Sequence, residues 1–96
     1  MTRNEQLKRK REQILRLAKR YGVTDIRVFG STAREDDTSV SDIDFLVDLE
    51  PDRSLFDVGG FLLELEALLG CKVDVLTEKS LHWYIRDRVV SEARAI

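Results

Sequence analysis

The sequence predicts an α/β (α+β) fold, a small mixed β-sheet of three or four strands flanked by helices. Three short segments alternate between apolar and polar residues, as strands do, and longer segments with apolar residues at helical spacing lie around them. Short strands between helices are typical of a sheet covered by helices. The chain of 96 residues suits one compact domain spanning residues 1–96.

The first helix is predicted over residues 3–21. Thr2 and Glu5 have the spacing of a capping box, in which each side chain accepts a hydrogen bond from the other residue's backbone N–H. Apolar residues recur at helical spacing as far as Tyr21, and Gly22 stands where such a helix would stop.

A strand over residues 24–29 and a brief helical turn over residues 31–35 come next. Branched apolar residues occupy alternate positions of the strand, which indicates one buried face. The strand runs directly into Gly30 and Ser31, so the turn begins with a glycine followed by a hydroxyl side chain.

The second strand is predicted over residues 42–49, with Pro51 closing it. Alternate side chains of a strand point to opposite faces. One face of this strand is apolar and the other acidic, with Ile43, Phe45 and Val47 on the first and Asp42, Asp44 and Asp48 on the second.

The next helix is strongly apolar. Ser54 and Asp57 form a second capping-box pattern at its start, and Gly70 stands at its end. Gly59 and Gly60 fall inside it, at a cost of about 1 kcal/mol each relative to alanine. Either another backbone comes close at the glycines, or the helix begins after them.

A third strand over residues 71–76 and a last helix over residues 79–95 complete the predicted elements. In this strand Val73 and Val75 face one side, while Asp74 faces the other.

Composition excludes several classes of protein and of site. Charged residues make up 35% of the chain, which fits a soluble globular protein and excludes a disordered one. No apolar run approaches the span of a bilayer, and no apolar signal segment precedes the first helix, so we expect a cytoplasmic protein without membrane contact. Cys71 and His82 are single, which excludes an internal disulfide and a cysteine or histidine metal cluster. Any metal would be held by oxygen.

Charge is distributed unevenly although the net charge is only −2. Residues 1–20 hold eight Lys or Arg against two Glu, with Lys8–Arg11 the densest part, whereas residues 35–52 hold eight acids and no base. A basic run can contact a phosphate-rich partner, but it is more often the solvated face of a helix. We therefore expect no direct binding of nucleic acid.

The acids of the second strand suggest a metal site. Asp42 and Asp44 point the same way with their Cα atoms roughly 6.5 Å apart, and two Mg²⁺ ions held by carboxylates are a recurring solution for phosphoryl chemistry. Asp74 would join them if the third strand lies beside the second. The alternative is a simple amphipathic strand whose aspartates face water.

Gly30 and Ser31 favour the metal-site interpretation. A glycine at the end of a strand lets a phosphate approach the backbone, and a serine at a helix start offers a hydroxyl and a free N–H. Ser31 alone could equally be a helix cap. The informative feature is the combination of this pair with paired acids on the following strand.

The pattern Gly30-Ser31, ten residues, then Asp42-Ile43-Asp44 resembles the signature of the nucleotidyltransferase superfamily related to DNA polymerase β. The resemblance continues through "KVDVLTEKSL" and "RDRVVSEA" and is closest to the minimal nucleotidyltransferases, typically antitoxins paired with a HEPN-domain RNase toxin. It implies these site residues: Gly30, Ser31 and Arg34 for the triphosphate of ATP, and Asp42, Asp44 and Asp74 as catalytic carboxylates for Mg²⁺.

One position departs from the pattern of this family. Glu35 stands where many relatives have glycine, which adds negative charge near the expected triphosphate and stiffens the turn. The three implied acids are all present.

The resemblance implies a Mg²⁺-dependent nucleotidyltransferase with two ions, acting as an antitoxin. It would transfer AMP from ATP to a tyrosine of a cognate HEPN toxin and release pyrophosphate. A non-catalytic antitoxin that masks the toxin is an alternative, as is AMP transfer to a small molecule. Leu81, Trp83 and Tyr84 suit a partner surface, although aromatic residues at helical spacing are more often core.

Overall fold

The computed structural model describes residues 1–96 and confirms the mixed α/β architecture. The predicted order of three helices and three strands is present, with α2 as the brief turn and β4 as an additional strand. The elements are α1 (Arg3–Arg20), β1 (Val23–Phe29), α2 (Ser31–Arg34), β2 (Ile43–Leu49), α3 (Leu55–Leu69), β3 (Val73–Thr77), a 3₁₀ turn (Glu78–Ser80), α4 (Trp83–Glu92) and β4 (Arg94–Ala95).

The four strands form one sheet in the order β3-β2-β1-β4. β1 pairs antiparallel with both β2 and β4. β2 and β3 run parallel because α3 carries the chain back to the starting edge between them. The prediction of a mixed sheet of three or four strands flanked by helices is confirmed.

One face of the sheet packs against α1 and α3 and forms the main hydrophobic core. The alternating residues of the strands supply the sheet side of this core, among them Val28, Phe45 and Val75, and α3 supplies Phe61 and Leu65. Full burial of a side chain of this size contributes about 1.5–3 kcal/mol. The alternation therefore determines which face of each strand is inside.

The opposite face of the sheet carries the polar alternate residues and is only partly covered. Asp44 and Asp74 lie on this face. Leu46, the next residue of β2 on the same face, is fully buried. Helix α4 lies beside Phe29, where β1 ends. A partly open, polar face of the sheet therefore lies next to the short loop that follows β1.

Both predicted capping boxes are present. The Thr2 hydroxyl accepts the Glu5 N–H at 3.2 Å while the Glu5 carboxylate accepts the Thr2 N–H at 3.3 Å. Ser54 and Asp57 do the same at the start of α3, so that helix includes the two glycines. Gly70 then ends α3 in the left-handed conformation, with φ of 66°.

The outer surfaces of the helices are charged, and none of the four is both long and apolar enough to cross a membrane. Within the basic run Lys8–Arg11, Lys10 Nζ donates to the carbonyl of Leu68 at 2.6 Å, and Arg11 Nε donates to the carbonyl of Ile96 at 3.2 Å. Half of the run therefore serves contacts within the fold, which supports its interpretation as a helix face.

The prediction of a single helix over residues 79–95 is wrong. Thr77 caps the 3₁₀ turn, and His82 caps α4, its Nδ1 accepting the Tyr84 N–H at 3.1 Å. Leu81 lies between the two caps in extended conformation and is only 5% exposed. Leu81 is therefore a core residue and not part of a partner surface.

Helix α4 also ends earlier than predicted. Ala93 is extended, with φ of −64° and ψ of 141°, and the next two residues pair with β1 as the edge strand β4. The sheet pairing replaces the last helical turn because the unpaired edge of β1 offers backbone partners that a helix end lacks.

Gly59→Ala and Gly60→Ala form a matched pair that tests the packing of α3. A Cβ added at Gly59 meets no atom within 4 Å, whereas one at Gly60 would lie 2.6 Å from Cε1 of Tyr21. Because alanine is the better helix former, we expect Gly59→Ala to raise the free energy of unfolding by about 1 kcal/mol. We expect Gly60→Ala to lower it, since the Tyr21 ring must move from its place beside Phe61. Urea unfolding measures both changes, and an equal gain from both variants would contradict this packing.

Candidate active site

The parallel pairing of β2 and β3 brings two of the predicted acids together. Asp44 and Asp74 are register partners across the two strands. Side chains of directly paired residues project from the same face of a sheet, about 5 Å apart at Cβ. The condition set by the sequence, that the third strand lie beside the second, is met.

Burial and mutual repulsion both act on Asp44. Burial raises the pKa of the Asp44 carboxyl first, the adjacent Asp74 raises it further, and Asp42 adds a smaller effect, while Arg34 acts in the opposite direction. The two other acids and the arginine thus act on one half-buried carboxyl. Hydrogen bonding with the Asp74 side chain also raises the pKa of the Asp44 carboxyl.

Asp42 lies one residue outside the strand to which the sequence assigned it. β2 begins at Ile43, whose N–H donates to the carbonyl of Lys72 at 3.2 Å, and Asp42 is exposed. Asp48, at the far end of β2, lies 3.6 Å from Arg27 in an ion pair and is separate from the acidic cluster.

The Gly30 backbone lies directly against Asp44. Gly30 adopts φ of 70° and ψ of −148°, a conformation that essentially only glycine tolerates. A Cβ built there would lie 2.6 Å from Oδ2 of Asp44. Phe29 is the register partner of Asp44 across β1 and β2, which explains how the end of β1 delivers this glycine to the carboxylate.

Ser31 and Arg34 occupy the two ends of the single-turn helix α2. The first N–H groups of a helix have no partner within it, so Ser31 places free donors beside Gly30. Arg34 lies in the last turn and acts electrostatically on Asp44. The predicted site residues Gly30, Ser31, Arg34 and the acids therefore gather at one end of the open sheet face.

Glu92 is a member of this region that sequence reasoning did not assign to the site. Its Oε1 accepts the Gly30 N–H at 2.8 Å and the Arg34 Nη1 at 3.0 Å. The sequence offers little signal for this contact, because Glu92 lies 62 residues from Gly30 along the chain.

Two further residues brace α2 and were also missed. Arg94 Nη2 donates to the carbonyl of Thr32 at 3.1 Å, and Asn4 Nδ2 donates to the same carbonyl at 2.9 Å. The Asn4 N–H also donates to the Asp37 carboxylate at 3.0 Å. Although burial opposes it, hydrogen bonding from Asn4 lowers the pKa of Asp37. The start of α1 and the strand β4 thus hold the loop from both sides.

The donor chemistry of the acidic cluster fits Mg²⁺. Asp42, Asp44 and Asp74 offer only hard carboxylate oxygens, which Mg²⁺ prefers, and it needs few of them. The repulsion that raises the pKa of Asp44 is relieved by a divalent cation. No three acidic, histidine or cysteine side chains of the chain are arranged as a ready-made metal site, so the carboxylates must turn toward a common point to hold one.

Glu35 follows α2 in a backbone conformation that favours glycine. Its φ is 62° and its ψ is 26°, and it is the one non-glycine residue with positive φ. The left-handed conformation costs a residue with a side chain roughly 1–2 kcal/mol. The departure from the family pattern at this position leaves the loop path intact and adds local strain.

Substitution of Glu35 tests the strain in its backbone. We expect Glu35→Gly to raise the free energy of unfolding by about 1 kcal/mol, because glycine adopts positive φ without strain. Glu35→Gln serves as the control: it removes the charge and keeps the side chain, so it should leave the strain in place. Thermal and urea unfolding distinguish the two, and a gain from Glu35→Gln equal to that from Glu35→Gly would assign the effect to charge.

The raised pKa of Asp44 makes the stability of the fold depend on pH. Because the pKa of Asp44 is higher in the folded chain than its unfolded value of 3.8, this group favours folding at low pH and loses that contribution as pH rises through its folded pKa. Asp44→Asn should therefore stabilise the protein at pH 7, by about 1 kcal/mol or less after solvent screening. It should give no gain below pH 3.8.

The exposed Asp52 provides the matched control for this experiment. Asp52→Asn makes the same chemical change away from the cluster and should alter stability little at either pH. Melting temperatures of the three proteins at pH 3.5 and pH 7 supply the comparison. A loss of stability in Asp44→Asn at pH 7 would contradict the prediction, because it would show that the charged Asp44 carboxylate stabilises the fold despite the neighbouring acids.

Two relatives resemble the chain over most of its length. A protein of Methanocaldococcus jannaschii, assigned as a protein adenylyltransferase, is 41% identical over 86% of this chain and 89% of its own length. The protein adenylyltransferase MntA of Thermococcus cleftensis is 42% identical over 79% of this chain and 77% of its own.

Solved structures share the fold. One assigned as a minimal nucleotidyltransferase superimposes with a TM-score of 0.85 at 41% identity, covering 97% of this chain and 95% of its own. A toxin–antitoxin structure with AMP-PNP has the same fold, with a TM-score of 0.72 at 21% identity, covering 88% of this chain and 69% of its own. The sequence also matches the nucleotidyltransferase domain family over residues 8–96. With this match and with Gly30-Ser31 set against the paired acids of β2 and β3, the chain belongs to the nucleotidyltransferase family.

Proposed function

We propose that this protein is an adenylyltransferase that acts as an antitoxin: it transfers AMP from ATP to a tyrosine of a cognate HEPN-domain RNase toxin and so neutralises the toxin. The observation that carries the proposal is the placement of Asp44 beside Asp74 with the Gly30 backbone against it. The relatives named as protein adenylyltransferases support transfer to a protein. The fold shared with a toxin–antitoxin structure is consistent with a toxin partner.

In this proposal Gly30, Ser31 and Arg34 bind the triphosphate. The backbone N–H groups around Gly30 and Ser31 donate to phosphate oxygens, and the Arg34 guanidinium offers charge-assisted bonds, which are roughly twice as strong as neutral ones. The absence of a Cβ at Gly30 lets the phosphates approach close to Asp44. These groups orient the nucleotide so that its α-phosphorus faces the acids.

Asp42, Asp44 and Asp74 would hold two Mg²⁺ ions, which supply neutralisation of the phosphate charge and polarisation of the reacting oxygens. Asp74 also receives the proton of the incoming tyrosine hydroxyl. The hydroxyl oxygen forms a bond to the α-phosphorus, the bond from that phosphorus to the bridging oxygen breaks, and pyrophosphate leaves with the electron pair. Positioning and charge stabilisation account for most of the expected rate.

A second candidate function is neutralisation by binding alone. Trp83 and Tyr84, at the start of α4, are 74% and 76% exposed and contact each other edge to face. Exposed aromatic pairs of this kind are enriched at interfaces between proteins. Because a toxin RNase acts on cellular RNA, we propose a cytoplasmic location for either mode.

The deciding experiment incubates the protein with α-labelled ATP, Mg²⁺ and the product of the neighbouring gene. We expect label on a tyrosine of the partner, found by mass analysis, and no label when EDTA removes the metal. The double variant Asp42→Asn, Asp44→Asn should lower transfer at least 100-fold, the size expected when groups that stabilise transition-state charge are lost, while Asp52→Asn retains it.

The other outcomes separate the alternatives. If the double variant still neutralises the toxin in cells, the protein works by masking. If label appears on a small molecule and on neither protein, the acceptor is not the toxin. If no label appears anywhere with intact wild-type protein, transfer is excluded under these conditions.

A further inference from the structure

Glu92 occupies the position that a phosphate oxygen needs. A single oxygen, Oε1, accepts both the Gly30 N–H at 2.8 Å and the Arg34 Nη1 at 3.0 Å. These are two of the donors that the proposed function assigns to the triphosphate. A carboxylate oxygen and a phosphate oxygen are both anionic acceptors, and two anions cannot occupy one position.

The surroundings of Glu92 include a cleft lined by two arginines. A cleft of about 220 Å³ opens beside it, lined on one side by Phe29, Gly30 and Arg34 and on the other by α4. Arg88, one turn before Glu92, also lines this cleft. If Glu92 moves away, the Arg34 guanidinium and the Gly30 N–H lose their acceptor, and Arg88 is the second arginine that lines the cleft.

Helix α4 is attached in a way that permits such movement. None of its ten residues, Trp83–Glu92, is fully buried, so shifting this helix exposes little apolar surface. Glu92 is its last residue and is followed by the extended Ala93. Segments with few buried contacts open at lower free energy than the core.

Resting on the proposed function, we propose that Glu92 is an affinity-determining residue for nucleotide: in the free chain its carboxylate stands in for a phosphate oxygen between Gly30 and Arg34, and the triphosphate must displace it to bind. Glu92 therefore competes with nucleotide and weakens its binding. The competing ligand is a polyphosphate, since only the phosphate part of the nucleotide competes with the Glu92 carboxylate for Gly30 and Arg34.

Glu92→Gln tests the competition. Glutamine keeps the shape of the side chain, but its neutral oxygen is a weaker acceptor than the carboxylate. It therefore competes less well with a phosphate oxygen for the Gly30 N–H and Arg34. The difference between a hydrogen bond to a charged and to a neutral group predicts about fivefold tighter binding of ATP with Mg²⁺. Calorimetric titration with ATP, and separately with inorganic tripolyphosphate, should show the same gain for both.

Asp87→Asn is the matched control, because it removes the same charge from the same exposed helix without lining the cleft. We expect its affinity for ATP to stay within about twofold of the wild type, since the exposed Asp87 carboxylate accepts no hydrogen bond from Gly30 or Arg34 and is screened by solvent. Melting temperatures establish that both variants are folded. Equal gains in both variants would assign the effect to overall charge and overturn the competition.

The Gly30 amide provides a readout without nucleotide. Its NMR chemical shift should move in Glu92→Gln alone, and should move in the wild type when ATP binds. ATP binding that is unchanged or weaker in a folded Glu92→Gln protein would make Glu92 a brace of the loop and overturn the proposal. If neither protein binds ATP or tripolyphosphate while the Gly30 shift still responds to Glu92→Gln, the contact is real and the nucleotide assignment, with the competition built on it, is wrong.

Discussion

The parallel pairing of β2 and β3 is the constraint on which the site depends. It sets Asp44 opposite Asp74 on a face that is only partly open to water, where two carboxylates repel each other. The register is held from the other face, because Phe45 opposes Val75 inside the core. A slip of one residue would exchange the faces and bury the acids. The hydrophobic core therefore secures an arrangement that electrostatics alone disfavours.

Helix α3 positions β3 beside β2, and the two ends of the chain position the loop that follows Gly30. The cap at Ser54 and the glycine at Gly70 fix the length of the crossover, so β3 begins level with β2. On the other side of the site, Asn4 and Arg94 meet at the carbonyl of Thr32. The first and last elements of the chain thus brace the turn that begins at Gly30.

Short-range patterns in the sequence predicted the parts of the fold that depend on local chemistry. Alternation assigned Phe45 to the core and Asp44 to the open face, and the two capping boxes were read from spacing alone. The helix proposed over residues 79–95 failed because two successive caps and the edge of β1 outweigh helical propensity there. The contact of Glu92 with Gly30 had no periodic signature, since it depends on the path of a chain segment between distant positions.

The charges of the site favour the binding of a nucleotide together with its divalent cations. Asp44 and Glu92 lie against Gly30, and Asp42 and Asp74 act on Asp44, whereas Arg34 is the one cation bonded within this group. A bare triphosphate would meet net repulsion here, and the half-buried position of Asp44 strengthens that repulsion by lowering the local dielectric. A triphosphate accompanied by divalent cations reverses the sign of the interaction, because the acids then face positive charge. Under the proposed function, the same carboxylates that destabilise the empty site select the metal complex of the nucleotide over the free anion.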